Sequence, residues 1–210
     1  MKKLVCLAIA AALTGCGQSS TPNATASAAT AAAPDVKAEP KIITGDARAQ
    51  IVTPLTKGMD VERDKMERVT FYSSKGMPRL TPSLDAYIAL PDEKMPALRM
   101  RSIYSAKRWM FYDQVKIMAD DVIVYDRSFK HREVQHNNSG GQVWETADFS
   151  AEAAELAALT AIAKSKSATI RFSGRDKRED HEVTARERRD LQQMLSAYDK
   201  MKAQLQQPAA

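Results

Sequence analysis

The sequence predicts one α+β domain, an antiparallel β-meander sheet packed with two C-terminal helices. Three observations lead there. Between Arg68 and Thr146 short apolar runs alternate with period two and are broken by Gly, Pro and acidic turn residues at hairpin spacing. After Ser150 the apolar period becomes helical, and a second helical pattern closes the chain. The composition, 44% hydrophobic and 27% charged over 210 residues, is that of a compact domain rather than a disordered or fibrous chain. Aromatics make up only 6%, so the core must draw on Leu, Ile, Val, Met and Ala. No apolar run reaches the ~18–20 residues needed to cross a bilayer, which excludes a polytopic membrane protein. Two cysteines cannot build a disulfide framework.

The elements follow in order. Val69-Thr70-Phe71-Tyr72 is β-prone, and Gly76, Pro78 and Pro82 punctuate what comes after. Residues 84–90 form a second strand, stopped by Pro91 and Pro96. In residues 98–104 Leu98, Met100 and Tyr104 share one face, with Arg99, Arg101 and Ile103 on the other. Residues 109–117 read as the next strand, with Trp109, Phe111, Val115 and Ile117 of one parity. Asp120-Asp121 marks a tight turn before Val122-Ile123-Val124-Tyr125. Residues 136–141 read as a loop, and Val143-Trp144-Glu145-Thr146 returns as a strand.

Ser150 is placed to cap a helix whose first turn holds Glu152 and Glu155 and whose last holds Lys164 and Lys166. Leu156, Leu159, Ile162 and Ala163 line its inner face. Residues 168–173 resume strand spacing, with Ile170 and Phe172 facing alike, and a charged turn follows from Gly174 to Asp180. Thr184-Ala185-Arg186-Glu187 has the form of a capping box. It opens a helix striped by Leu191, Met194, Leu195, Tyr198, Met201 and Leu205. The globular domain is assigned to 68–205. Residues 41–67 form a less defined lead-in, in which Ile42, Ile43 and Ile51 make a first packed segment and residues 61–67 a charged turn or short helix.

The N-terminus carries an address. Lys2 and Lys3 precede an apolar stretch, residues 4–13, of signal-peptide length. It ends in Leu13-Thr14-Gly15-Cys16, which resembles the lipobox of bacterial lipoproteins. The resemblance implies a signal peptide over 1–15, a diacylglycerol on the Cys16 thiol, cleavage before Cys16 and acylation of the new amine. One acyl chain binds a membrane only marginally, at ~0.8 kcal/mol per buried methylene, whereas two or three hold stably. Cys6 would leave with the signal. Gly17, rather than aspartate, follows the cysteine; by the same resemblance the outer membrane facing the periplasm is the expected destination. Residues 16–40, rich in Ala, Ser, Thr and Pro, cannot bury enough surface to order themselves and are expected to be a flexible tether, ~25 residues spanning roughly 25–30 Å. The order of elements from about Asp60 to Lys202, with Tyr87, Trp109 and residues 170–174 as landmarks, also resembles a domain of uncharacterised bacterial proteins. That resemblance implies a fold and assigns no catalytic residue.

Motifs for chemistry are sparse. His131 and His136 are five apart, on opposite faces of a strand. His181-Glu182-Val183-Thr184-Ala185 begins like the zinc-protease motif HExxH, but Ala185 stands where the second histidine belongs, so no metal ligand is assigned. Asp120, Asp121 and Asp126 lack the spacing of a calcium loop. No G-x-S-x-G elbow, S-x-x-K pair, G-x-G-x-x-G or Walker loop occurs, and neither catalytic residues nor a cofactor are expected. Losing Lys2 and Lys3 with the signal would lower the formal charge from +5 to +3, a weak pull on any polyanion. The basic segments Arg99/Arg101, Lys107/Arg108 and Arg175/Lys177/Arg178 interleave with Trp109, Phe111 and Phe172. Strand aromatics are expected to pack inward, and in a periplasmic setting anionic lipid, lipopolysaccharide or wall polymer suits these cations better than nucleic acid.

The expectation is therefore a membrane-anchored envelope lipoprotein with a non-catalytic binding or assembly role. It would contact an envelope protein or wall polymer through an open sheet face carrying Arg99, Arg101 and Ile103. The alternative is a periplasmic hydrolase whose carboxylates, Glu145, Asp148 or Asp180 among them, are paired only by the fold.

Overall fold

The computed structural model describes residues 41–76 and 81–206. The predicted signal peptide, Cys16, the tether over 16–40 and Pro78 lie outside the described residues. Four strands, β1 (Asp60–Asp64), β2 (Val69–Ser73), β3 (Ser83–Pro91) and β4 (Ala97–Ala106), run as a consecutive antiparallel meander. The chain then leaves for a second sheet, where β5 (Tyr112–Ala119) and β6 (Val122–Ser128) form a hairpin. A 3-10 turn at His131–Glu133 leads back to β7 (Val134–Ser139) and β8 (Gln142–Ser150), and β8 pairs with β4. Helix α2 (Ala153–Lys164), strands β9 (Ala168–Gly174) and β10 (Arg178–Glu182), and helix α3 (Ala185–Leu205) complete the domain. The sheet orders are β1-β2-β3-β4-β8-β7 and β10-β9-β5-β6.

The protein is thus a single antiparallel α+β domain with its long helix at the C-terminus, as the sequence predicts. The meander, however, is divided between two sheets, because β4 takes β8 as its neighbour and β5 takes β9. Long-range partners of this kind leave no trace in local periodicity. Residues 41–67 are also ordered. Helix α1 (Gly45–Leu55) and β1 occupy them, and Ile42 bridges to Gln206 at the end of α3. The stretch 136–141, expected as a loop, is mostly strand: β7 pairs through Ser139, and Gly140-Gly141 alone make the turn, with φ of 57° and 79°. Asp120-Asp121 forms the foreseen tight turn, φ 45° and 65°, in the twin left-handed geometry that suits a two-residue hairpin.

One core joins both sheets. Leu84, Ala86, Ile88 and Leu90 of β3 and Leu98, Met100 and Tyr104 of β4 enter it from the first sheet; Val115, Ile117, Ile170 and Phe172 enter from the second. Leu159 and Ile162 of α2 and Met194, Met201 and Leu205 of α3 fill the space between, all at 0–1% exposure. At ~25 cal/mol per Å² this burial is the principal stabilising contribution.

The helix starts are set locally. Ser150 ends β8 instead of capping α2; Glu152 is the cap, and its backbone N–H donates to Glu155 at 3.1 Å. Arg48 of α1, 7% exposed, donates to the carbonyls of Ile43, Pro91 and Lys94, tying the chain entry to the β3–β4 turn. Thr184 and Glu187 make the foreseen box at the start of α3.

Glu187 is buried, and burial by itself raises a carboxyl; the bonds from His181 (3.0 Å) and Thr184 (2.7 and 2.8 Å) outweigh it and hold the group at about 2, below the ordinary 4.5. A depressed carboxylate contributes stability that is fully present above its unfolded value and is lost as pH falls through the folded one. Urea unfolding across pH should therefore show stability declining from pH 4.5 toward 2. Glu187→Gln is expected to flatten that decline and to cost about 1–3 kcal/mol at neutral pH.

Candidate functional site

The face predicted from β4 exists, but its cations are already engaged. Arg99 donates through Nε to Tyr87 Oη and Asp148 Oδ1, both at 2.8 Å. Tyr87 donates in turn to Asp148 Oδ2 at 2.7 Å. Burial, reinforced by that bond to a carboxylate, pushes the Tyr87 phenol up to about 12, so it stays a donor. Arg101 pairs with Asp85 at 2.5 Å and lies over the Tyr87 ring, 4.8 Å from its centroid. Among the described residues, two arginines therefore face two aspartates across three strands, and their charges balance. Ile103, expected on the open face, is 1% exposed and unavailable to a partner. Ser83 Oγ, Arg101 Nε and Trp144 Nε1 are sealed from solvent without hydrogen-bond partners among the described residues. They are closed off rather than presented.

The unpaired chemistry sits elsewhere, at the end of the molecule where β4 hands over to β5. The strand expected from Trp109 begins only at Tyr112, because a buried carboxylate intervenes. Glu145 of β8, 0% exposed, accepts the backbone N–H groups of Met110 (2.5 Å), Phe111 (2.9 Å) and Tyr112 (2.8 Å). Three consecutive donors can converge on one carboxylate only if the chain turns sharply. Phe111 makes that turn at φ 53°, a left-handed conformation that costs a side chain with a Cβ roughly 1–2 kcal/mol. Gly174 allows the close approach: a Cβ there would stand 2.5 Å from the Met110 carbonyl oxygen.

The turn throws Phe111 outward, 55% exposed, contrary to the inward packing its parity suggests. It stacks with Trp109 at 5.7 Å and 18°, and both rings flank His136 at 5.4–5.6 Å. His131 and His136, assigned to opposite faces by spacing, have ring centroids 5.2 Å apart because His131 lies in the 3-10 turn rather than in β7. Among the described residues no three His, Cys, Asp or Glu side chains converge as a metal set.

Three segments meet around these rings: residues 107–113, which run into β5, residues 130–133, and residues 175–178, which run into β10. The Phe129 N–H donates to the Asp113 carbonyl at 2.7 Å, and Gly174 pairs with Tyr112. Together the three segments hold seven Lys and Arg against three acids, a local net of +4 in a chain whose total is +5. Lys107, Arg108, Lys130, Arg132, Arg175 and Lys177 are exposed, and none reaches a carboxylate among the described residues. Elsewhere the sheet surface pairs its charges, as in Lys116–Asp126 and Arg171–Asp180. Lys107/Arg108 and Arg175/Lys177/Arg178 were visible in the sequence as basic segments; Lys130 and Arg132 were missed, for only the fold brings them beside the others.

No family model, curated protein or solved structure matches this chain.

The strained turn predicts opposite outcomes at neighbouring positions. Phe111→Asn, which accepts the left-handed region readily, should hold or raise stability in thermal unfolding, by up to about 1 kcal/mol. Glu145→Ala strands three buried donors and is expected to cost roughly 3 kcal/mol or more in urea unfolding.

Proposed function

We propose that this protein is a membrane-anchored envelope lipoprotein with a non-catalytic binding or assembly role, tethered through Cys16 and making contact through the aromatic and basic tip at the β4–β5 turn. The left-handed, exposed Phe111 carries the binding role. A bulky residue that a fold holds at a sterically costly φ, with its ring in solvent, is retained for what the ring touches. Backbone strain of this kind clusters where a structure presents a side chain to a ligand.

The geometry also suits a tethered molecule. The chain enters the domain at Ile42 and Arg48, beside the β3–β4 turn. The tip lies past the other end of β4, whose ten residues span about 30 Å. Within the described domain, chain entry and contact surface therefore lie toward opposite ends of β4, so a tether joined at the first leaves the second uncovered.

Two measurements test the reading. Cys16→Ser should release the protein from the membrane fraction or leave an unprocessed precursor; a variant that still sediments with membranes at the mature mass overturns the anchor. A photocrosslinker placed at Arg108 should capture an envelope component in intact cells, whereas the same group at Ile123, near the Asp120-Asp121 turn, should not. Equal labelling at the two positions, or none at either, overturns the binding role of the tip.

A further inference from the structure

We infer that the tip docks on an anionic phospholipid surface, Phe111 and Trp109 entering the headgroup layer while Lys107, Arg108, Lys130, Arg132, Arg175 and Lys177 lie over lipid phosphates. This rests on the tip being the contact surface and names what it contacts. Two properties of the site must be satisfied together. Six cations that reach no carboxylate among the described residues, spread over three segments, call for diffuse negative charge rather than one carboxylate in a fixed geometry. The ring of Phe111, 55% exposed and stacked on Trp109, calls for an apolar or interfacial environment. A soluble polyanion meets the first demand and leaves the ring in water. The headgroup region of an anionic bilayer meets both, since aromatic side chains favour that depth and basic ones favour its surface potential.

The surrounding structure fits such a contact. Glu145 holds the turn by three backbone hydrogen bonds, so presenting the rings requires no ordering on binding. The one acid of the 130–133 segment, Glu133, is occupied with the Lys130 N–H at 2.7 Å and lies 3.7 Å from Arg127. The arginines of β4 are neutralised by Asp85 and Asp148, so attraction is concentrated at the tip rather than along the sheet.

The test uses the chain carrying Cys16→Ser and purified without residues 1–15, so that neither an acyl chain nor the apolar leader contributes. Its partition is measured into vesicles of phosphatidylcholine alone and of phosphatidylcholine with about one-third phosphatidylglycerol. Anionic vesicles should be favoured about a hundred-fold or more, less so as salt rises. Lys107→Gln with Arg108→Gln should lower anionic partition about twenty-five-fold, at roughly five-fold per cation. Phe111→Asn should lower it several-fold without loss of thermal stability, which separates the ring's contact from folding. Equal partition into the two vesicle types overturns the inference. So does Phe111→Asn binding like the parent, which would leave a soluble polyanion as the ligand. If the vesicle preference fails while the Arg108 crosslinker still captures an envelope component, the lipid assignment falls and the binding role stands; if both fail, both fall.

Discussion

A single buried carboxylate organises the junction between the two sheets. Glu145 reaches from β8 in the first sheet and takes the N–H groups of residues 110–112 just before β5 begins in the second. A carboxylate without water must find donors close by, since an unpaired buried charge costs several kcal/mol. Here the donors are backbone groups that a chain changing direction would otherwise leave unsatisfied. Tyr112 seals the same seam: its phenol oxygen accepts the Ala147 N–H at 2.8 Å and lies 3.1 Å from the Ser102 carbonyl, and burial pushes its pKa well up, keeping it neutral. The start of β5, the left-handed Phe111 and the absence of a Cβ at residue 174 are consequences of that one set of bonds.

The molecule separates its charges into two populations. Across the sheets, cation and anion sit on adjacent strands and cancel, as Arg99 does with Asp148 and Arg171 with Asp180. Such pairs contribute little to stability when exposed; they discourage strand edges and faces from associating indiscriminately. In the segments at the tip six exposed cations reach no such partner among the described residues, so positive charge gathers there. A net charge that looks mild when averaged over the chain becomes appreciable when seven of its cations share one end.

What could be read from the sequence was what is encoded within a few residues. Thr184 and Glu187 announce the start of α3 because a capping box is a four-residue device. Asp120-Asp121 announces a hairpin because both residues tolerate left-handed backbone. Trp109 and Phe111 misled for the opposite reason. Their parity with Val115 and Ile117 indicates an inward face, and the carboxylate that breaks the strand ahead of Tyr112 lies 34 residues beyond Phe111. Arg99 and Arg101 share one side of β4 by parity alone, but the ion pairs that occupy them depend on the register that sets Asp85 and Asp148 opposite Arg101. Ile103 shows that sharing a face does not confer exposure, for the same side of one sheet can be open at Arg99 and closed four residues on.

The seating of the N-terminal segment has a mechanical corollary. A pull applied between a fixed N-terminus and the far tip would run nearly parallel to β3 and β4, loading their backbone bonds in shear, the direction in which paired strands yield least. Before that, tension would reach the lone bridge of Ile42 to Gln206 and the grip of Arg48 on the Pro91 and Lys94 carbonyls. Helix α1 would peel away as a sacrificial element before β3 and β4 part, since only those few bonds and its packing on α3 hold it.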